Sequence, residues 1–125
     1  MGWENTRSLY YVQFHGNAHI ANIIEYESYE VDGLIHARTK FSHFDTLSLS
    51  VKKLNKPSVR ESYESEYEDP DLNITAEYWS YDKQKCIDFI EEQKQIRIKL
   101  LEQKIIDLQN DIEYTKSCVV KDSDI

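Results

Sequence analysis

The fold turns on residues 24–41, Ile24-Glu-Tyr-Glu-Ser-Tyr-Glu-Val-Asp32-Gly33-Leu-Ile-His-Ala-Arg-Thr-Lys-Phe41. An Asp-Gly pair between β-rich flanks is a strong hairpin signal, because a two-residue type I′ turn needs positive φ at both central positions. With Asp32-Gly33 as the loop, paired positions sum to 65. One face then carries Val31/Leu34, Tyr29/His36, Glu27/Arg38 and Glu25/Lys40, so two carboxylates stand opposite two cations. The other carries Glu30/Ile35, Ser28/Ala37, Tyr26/Thr39 and Ile24/Phe41. Opposite charges directly across a ladder favour this register. The face with Ile24, Tyr26, Ile35 and Phe41 is expected to be the core side.

Working outward, Leu9 to Phe14 is aromatic and β-branched and reads as a strand. It is expected to turn at Gly16-Asn17 into His19 to Ile24, pairing His15 with Ala18 and Phe14 with His19. A competing helix over Ala18 to Glu27, capped by Asn17, fits the residues less well. A fourth strand, Thr46 to Lys53, follows from Leu47, Leu49 and Val51 alternating with serines and lysine. Residues 1–56 thus read as an antiparallel meander. Pro57 and Pro70 bracket a Tyr, Glu and Ser segment too poor in aliphatic residues to build a core, so 57–72 is expected to be an exposed acidic loop. Residues 73–81 alternate Ile74, Ala76 and Tyr78 against Thr75, Glu77 and Trp79, a fifth extended piece able to rejoin the sheet.

From Asp82 to Ser117 there is neither Gly nor Pro, and the composition turns to Lys, Gln, Glu, Ile and Leu. One long helix over 82–117 follows, capped by Ser80 or Asp82, with a frayed tail at 118–125. Its first half offers a mixed stripe, Cys86, Phe89, Ile90, Ile96 and Leu100, suited to covering the sheet. Its second half spaces Ile98, Leu101, Ile105, Leu108 and Ile112 by alternating threes and fours. With Ile98 at position a, the β-branched residues fall at a and the leucines at d, a choice that favours parallel two-stranded coiled coils. In that arrangement Arg97 faces Glu102 and Asp111 faces Lys116, and no flanking pair is repulsive. The same stripe laid on the chain's own sheet is the competing expectation. The fold class expected is therefore α+β: a four- to five-stranded antiparallel meander followed by one long C-terminal helix with coiled-coil character, in a single domain.

Charge locates a second feature. The chain of 125 residues carries a net charge of −8, but residues 61–82 hold eight carboxylates and no Lys or Arg, while the rest is close to neutral. Aromatic residues interleave with these acids. The expected partner-binding set is Glu61, Tyr63, Glu64, Glu66, Tyr67, Glu68, Asp69, Asp71 and Trp79. Carboxylates spaced through aromatic surface can imitate the charge rhythm of a nucleic-acid backbone and occupy a basic protein groove. Direct contact with nucleic acid or an anionic membrane is disfavoured by the same charge.

Little points to catalysis. His15, His19, His36 and His43 are not joined by a cysteine or carboxylate cluster, and His43 with Asp45 lacks a nucleophile to serve. Three glycines are too few for a phosphate-cradling loop. No enzyme activity, metal or cofactor is expected. Cys86 and Cys118 would lie about 48 Å apart along one helix, too far for a disulfide, so the compartment is read as cytoplasmic. The Asn73-Ile74-Thr75 sequon is then incidental, and Met1-Gly2 is read as an ordinary chain start rather than an acylation signal. In size, acidity and lack of catalytic motifs the chain resembles the small inhibitors that phages make against host defence systems, a resemblance of type without aligned motifs. The leading expectation is a non-enzymatic, protein-binding inhibitor of a basic, nucleic-acid-handling partner. The alternatives are a homodimeric assembly protein acting through its coiled coil, with Ile98, Leu101, Ile105, Leu108 and Ile112 as the seam, and a dimer that sequesters a small ligand such as a nucleotide through Tyr10, Tyr11, His36 and Arg38.

Overall fold

Asp32 and Gly33 adopt φ values of 52° and 78°, so the turn at the centre of the hairpin is left-handed at both positions. The computed structural model, which describes residues 2–16, 20–40, 46–61 and 74–122, contains six strands and one α-helix. The strands are β1 (Arg7–His15), β2 (Ile23–Val31), β3 (Leu34–Thr39), β4 (Thr46–Ser50), β5 (Ser58–Glu61) and β6 (Ile74–Ser80), followed by α1 (Lys83–Lys116). All pair antiparallel in one sheet of order β4-β3-β2-β1-β6-β5. The fold is α+β as expected, with six strands in place of four or five.

The β2–β3 register is the expected one, from Val31 opposite Leu34 to Tyr26 opposite Thr39. Glu27 is paired with Arg38, and Lys40 Nζ reaches Glu25 at 2.9 Å. On the expected core face Ile35, Ala37 and Ser28 are buried, whereas Ile24 is exposed and Phe41 lies outside the described residues.

Two expectations fail nearby. The β1–β2 pairing runs from Arg7 opposite Ser28 to Val12 opposite Ile23, so the connection is longer than the two-residue Gly16-Asn17 loop expected. Phe14 and His15 pair instead with Ala76 and Thr75 of β6. The shift is by two positions, which leaves every side chain on the same face, so hydrophobic alternation does not distinguish the two registers. The strand expected over 46–53 ends at Ser50, where the chain enters a 3-10 turn (Val51–Lys53) capped by the Ser50 side chain.

That turn lets the sheet curl. Asn55, at φ 57°, redirects the chain from the β4 edge towards β6, and its backbone N–H donates to the Trp79 carbonyl at 2.8 Å. β5 then pairs with β6, from Ser58 opposite Glu77 to Glu61 opposite Ile74. This strand lies in a segment expected to be loop throughout. It is an edge strand held by one ladder, with Val59 exposed, so it needs no aliphatic side chains. Pro57 precedes it, where a missing N–H costs no pairing.

Curling divides the apolar residues into two clusters on opposite faces. Inside the curl, Leu9, Ile35, Ala37 and Leu49 are buried, with Tyr26, Leu54, Trp79 and Tyr81 packed against them. On the outer face, Val12, Phe14, Ala76 and Tyr78 are covered by Cys86, Phe89 and Ile90 of α1. β1 contributes to both, which is why it reads as a nearly continuous apolar run. A 3-10 turn at Gly2–Glu4 packs on the same outer face, where Trp3 meets Tyr29 edge-on with centroids 4.7 Å apart and Arg38 lies 4.1 Å over the indole.

Candidate functional site

The root of α1 is fixed by a chain of short bonds. Asp82 caps the helix by accepting from the Gln84 N–H at 2.9 Å, and its own N–H donates to Ser80 Oγ at 3.0 Å. Ser80 Oγ in turn donates to Asn55 Oδ1 at 2.7 Å, tying the helix start to the turn that curls the sheet. Between them Tyr81 donates to Glu30 at 2.5 Å beneath the Arg7 guanidinium, and burial with that bond pushes its phenol up to about 12.

The sheet covers only the first third of the helix. Its buried residues are Cys86, Phe89, Ile90 and Gln93, with Phe89 stacked on Tyr78 at 4.9 Å. Ile96, expected among the sheet-covering residues, is exposed, and Leu100 is only half-buried. The remaining turns stand clear of the sheet because a straight helix of 34 residues, about 50 Å long, outruns it.

On this free portion Ile98, Leu101, Ile105, Leu108 and Ile112 are between 39% and 62% exposed. Its other faces are mostly polar apart from the exposed Ile106 and Tyr114, with Lys116 beside Glu113 and Gln103 Nε2 donating to Asp107. An apolar stripe of five large residues is thus presented to solvent along one face of the helix. Contiguous exposed apolar surface of this kind makes the stripe a candidate interaction site. Where the stripe meets the body of the protein it runs into a groove of about 500 Å³ lined by Phe14, His15, Gly16, Ile20, Ala21, Ile90, Lys94, Arg97, Ile98 and Leu101. Sequence reasoning found the stripe but not the groove, whose second wall comes from β1 and the β1–β2 connection.

The acidic set is placed only in part. Tyr63, Glu64, Glu66, Tyr67, Glu68, Asp69 and Asp71 lie outside the described residues, and Glu61 is described only as the last residue of β5. Trp79 turns into the curl against Tyr11 and Tyr26, with centroids at 4.4 and 5.5 Å. Two neighbouring acids have local duties: Asp82 is the helix cap, and Glu77 accepts from Gln13 Nε2 at 3.3 Å. The proposed small-ligand set does not converge, since Tyr11 faces the interior of the curl while Tyr10, His36 and Arg38 belong to the outer face.

His15 Nδ1 is bonded to Thr75 Oγ1 and His36 Nδ1 to Ser48 Oγ, each at 3.1 Å, and His36 stacks on Tyr29. His19, His43 and Asp45 lie outside the described residues. Among the described residues no group of three or more His, Cys, Asp or Glu side chains is arranged to hold a metal ion. Both cysteines are free, Cys86 buried and Cys118 exposed just past the helix. Burial pushes the Cys86 thiol up to about 11, which leaves it protonated and unreactive at neutral pH. Among the described residues no helix is long and apolar enough to cross a membrane.

Compared with protein-family models, with curated proteins and with solved structures, the chain matches none of them.

Proposed function

We propose that this chain is a non-enzymatic protein-binding module that works as a self-associated assembly, joined through α1. One observation carries the reading: Ile98, Leu101, Ile105, Leu108 and Ile112 keep coiled-coil spacing on a portion of helix that the sheet leaves uncovered. A monomer that spends five large aliphatic residues on solvent lowers its own solubility. A second apolar surface repays them. Light scattering across concentration tests this reading. The mass per particle should rise from 14.8 kDa towards twice that value by tens of micromolar, and a constant 14.8 kDa would refute it.

The localised charge supports a second, compatible reading, in which the acidic aromatic stretch of residues 61–82 engages a basic surface on another protein, as an inhibitor of a nucleic-acid-handling partner would. Its support is the run of six carboxylates from Glu61 to Asp71 without a Lys or Arg among them, Glu77 and Asp82 being engaged within the fold. Capture of a basic partner from host extract at low salt, lost at high salt and lost on reversing Glu64, Glu66, Glu68 and Asp69, is the expected result. Capture that survives the reversal would refute it. Two free thiols fit a reducing, cytoplasmic setting for either role.

A further inference from the structure

We propose that the second copy lies antiparallel on α1, with the free tip of each helix seated in the groove at the root of the other. The inference rests on the self-association reading above and adds its geometry.

The first argument is continuity. The helix residues that line the groove are Ile90, Lys94, Arg97, Ile98 and Leu101, a single stripe whose spacing continues directly into Ile105, Leu108 and Ile112. Seam and groove are therefore one surface, closed on its far side near the root by Phe14, Ile20 and Ala21. Whatever covers the seam must also enter the groove.

The second argument is room. In a parallel pair Ile98 meets Ile98 of the second copy, so the helix entering each groove does so at the height where it carries its own sheet. The two bodies then compete for the same space. In an antiparallel pair the entering segment is the helix end around residues 112–116, which stands clear of its sheet. Packing Ile105 against Leu108 of the second copy brings Leu101 opposite Ile112 and Ile98 opposite Thr115. Val119 and Val120, both exposed just beyond the helix, then reach the apolar wall at Ile20 and Ala21.

The third argument is charge. The groove lining contains Lys94 and Arg97 and no carboxylate. The entering tip brings the negative end of the helix macrodipole together with Asp111 and Glu113. Arg97 faces Asp111 of the second copy and Glu102 faces its Lys116, leaving Lys104 against its own counterpart as the one repulsive pair. A parallel pair would instead gather both negative helix ends at one place. The a and d residue choice that favours parallel pairing in isolated helices does not weigh the sheet mounted on each helix root.

The exposed thiol supplies the test. Spin labels on Cys118 of the wild-type protein, Cys86 being buried, should lie about 35 Å apart in an antiparallel dimer at 1.5 Å rise per residue. A second variant, Ile20→Glu, alters a residue that is 74% exposed and touches the dimer only through the groove, so it should weaken association at least tenfold. A label separation under about 20 Å, or undiminished association of Ile20→Glu, would overturn the antiparallel arrangement while leaving self-association standing. A particle that stays monomeric at tens of micromolar would overturn both.

Discussion

Replacing Ile105 with Asp isolates the seam from the fold. Ile105 lies about 18 Å along the helix beyond Gln93, the last buried helix residue, so no sheet contact is lost with it. In the monomer the substitution changes helix propensity by a few tenths of a kcal/mol. The dimer pays more. Ile105 is 55% exposed, and fully burying such a side chain contributes about 1.5–3 kcal/mol, so covering it contributes roughly 1 kcal/mol per copy. Two copies lose that, and each then places a carboxylate in an apolar seam at a desolvation cost of several kcal/mol. A total of at least about 4 kcal/mol per dimer corresponds to a thousandfold weaker association. Sedimentation at tens of micromolar should show wild type as dimer and Ile105→Asp as monomer, with the sheet's near-ultraviolet signal unchanged. A variant that sediments like wild type would refute the reasoning, and so would one whose sheet unfolds, since Ile105 would then belong to the core.

Thiol reagent at pH 8 should modify Cys118 rapidly and Cys86 only after unfolding, and two fast thiols in the native protein would contradict the placement of Cys86 under the sheet. Folding raises Cys86 from an ordinary value near 9 to about 11 and Tyr81 from 10 to about 12, so both hold protons more tightly in the folded chain. Their contribution is complete below pH 9 and is lost as pH rises towards 11–12, which alkaline urea titrations would detect as a falling midpoint. Gly33→Ala meets open space but keeps φ at 78°, so chemical denaturation should register a loss of about 1 kcal/mol. Gly2→Ala drives a Cβ into the Tyr29 ring and should release the Gly2–Glu4 turn, seen as a change in Trp3 emission with little change in melting temperature.

The parts of the fold that were legible in the sequence are those with local chemistry of their own. Asp32-Gly33 can make one kind of turn cheaply, and Glu27 and Glu25 fix its register through Arg38 and Lys40. The helix was legible from its unbroken composition and its Asp82 cap. The β1–β2 register was not, because a shift of two conserves the face of every residue from Arg7 to Val12. β5 was not, because an edge strand is held by backbone bonds to β6 and its side chains need not be apolar. The groove combines Phe14, Ile20 and Ala21 with a helix stripe some 70 positions later, a juxtaposition that follows from β6 pairing with β1 and α1 packing across both. The stripe itself could be read from spacing, whereas its exposure depended on where the sheet ends.

Amide hydrogen exchange across residues 98–112 addresses the seam most directly, since a lone helix standing in solvent frays and exchanges quickly whereas a paired one does not. Self-association through α1 predicts that these amides are protected at tens of micromolar and lose that protection on dilution, while those of β1 and β3 keep theirs. Equal, rapid exchange of residues 98–112 at both concentrations would contradict it.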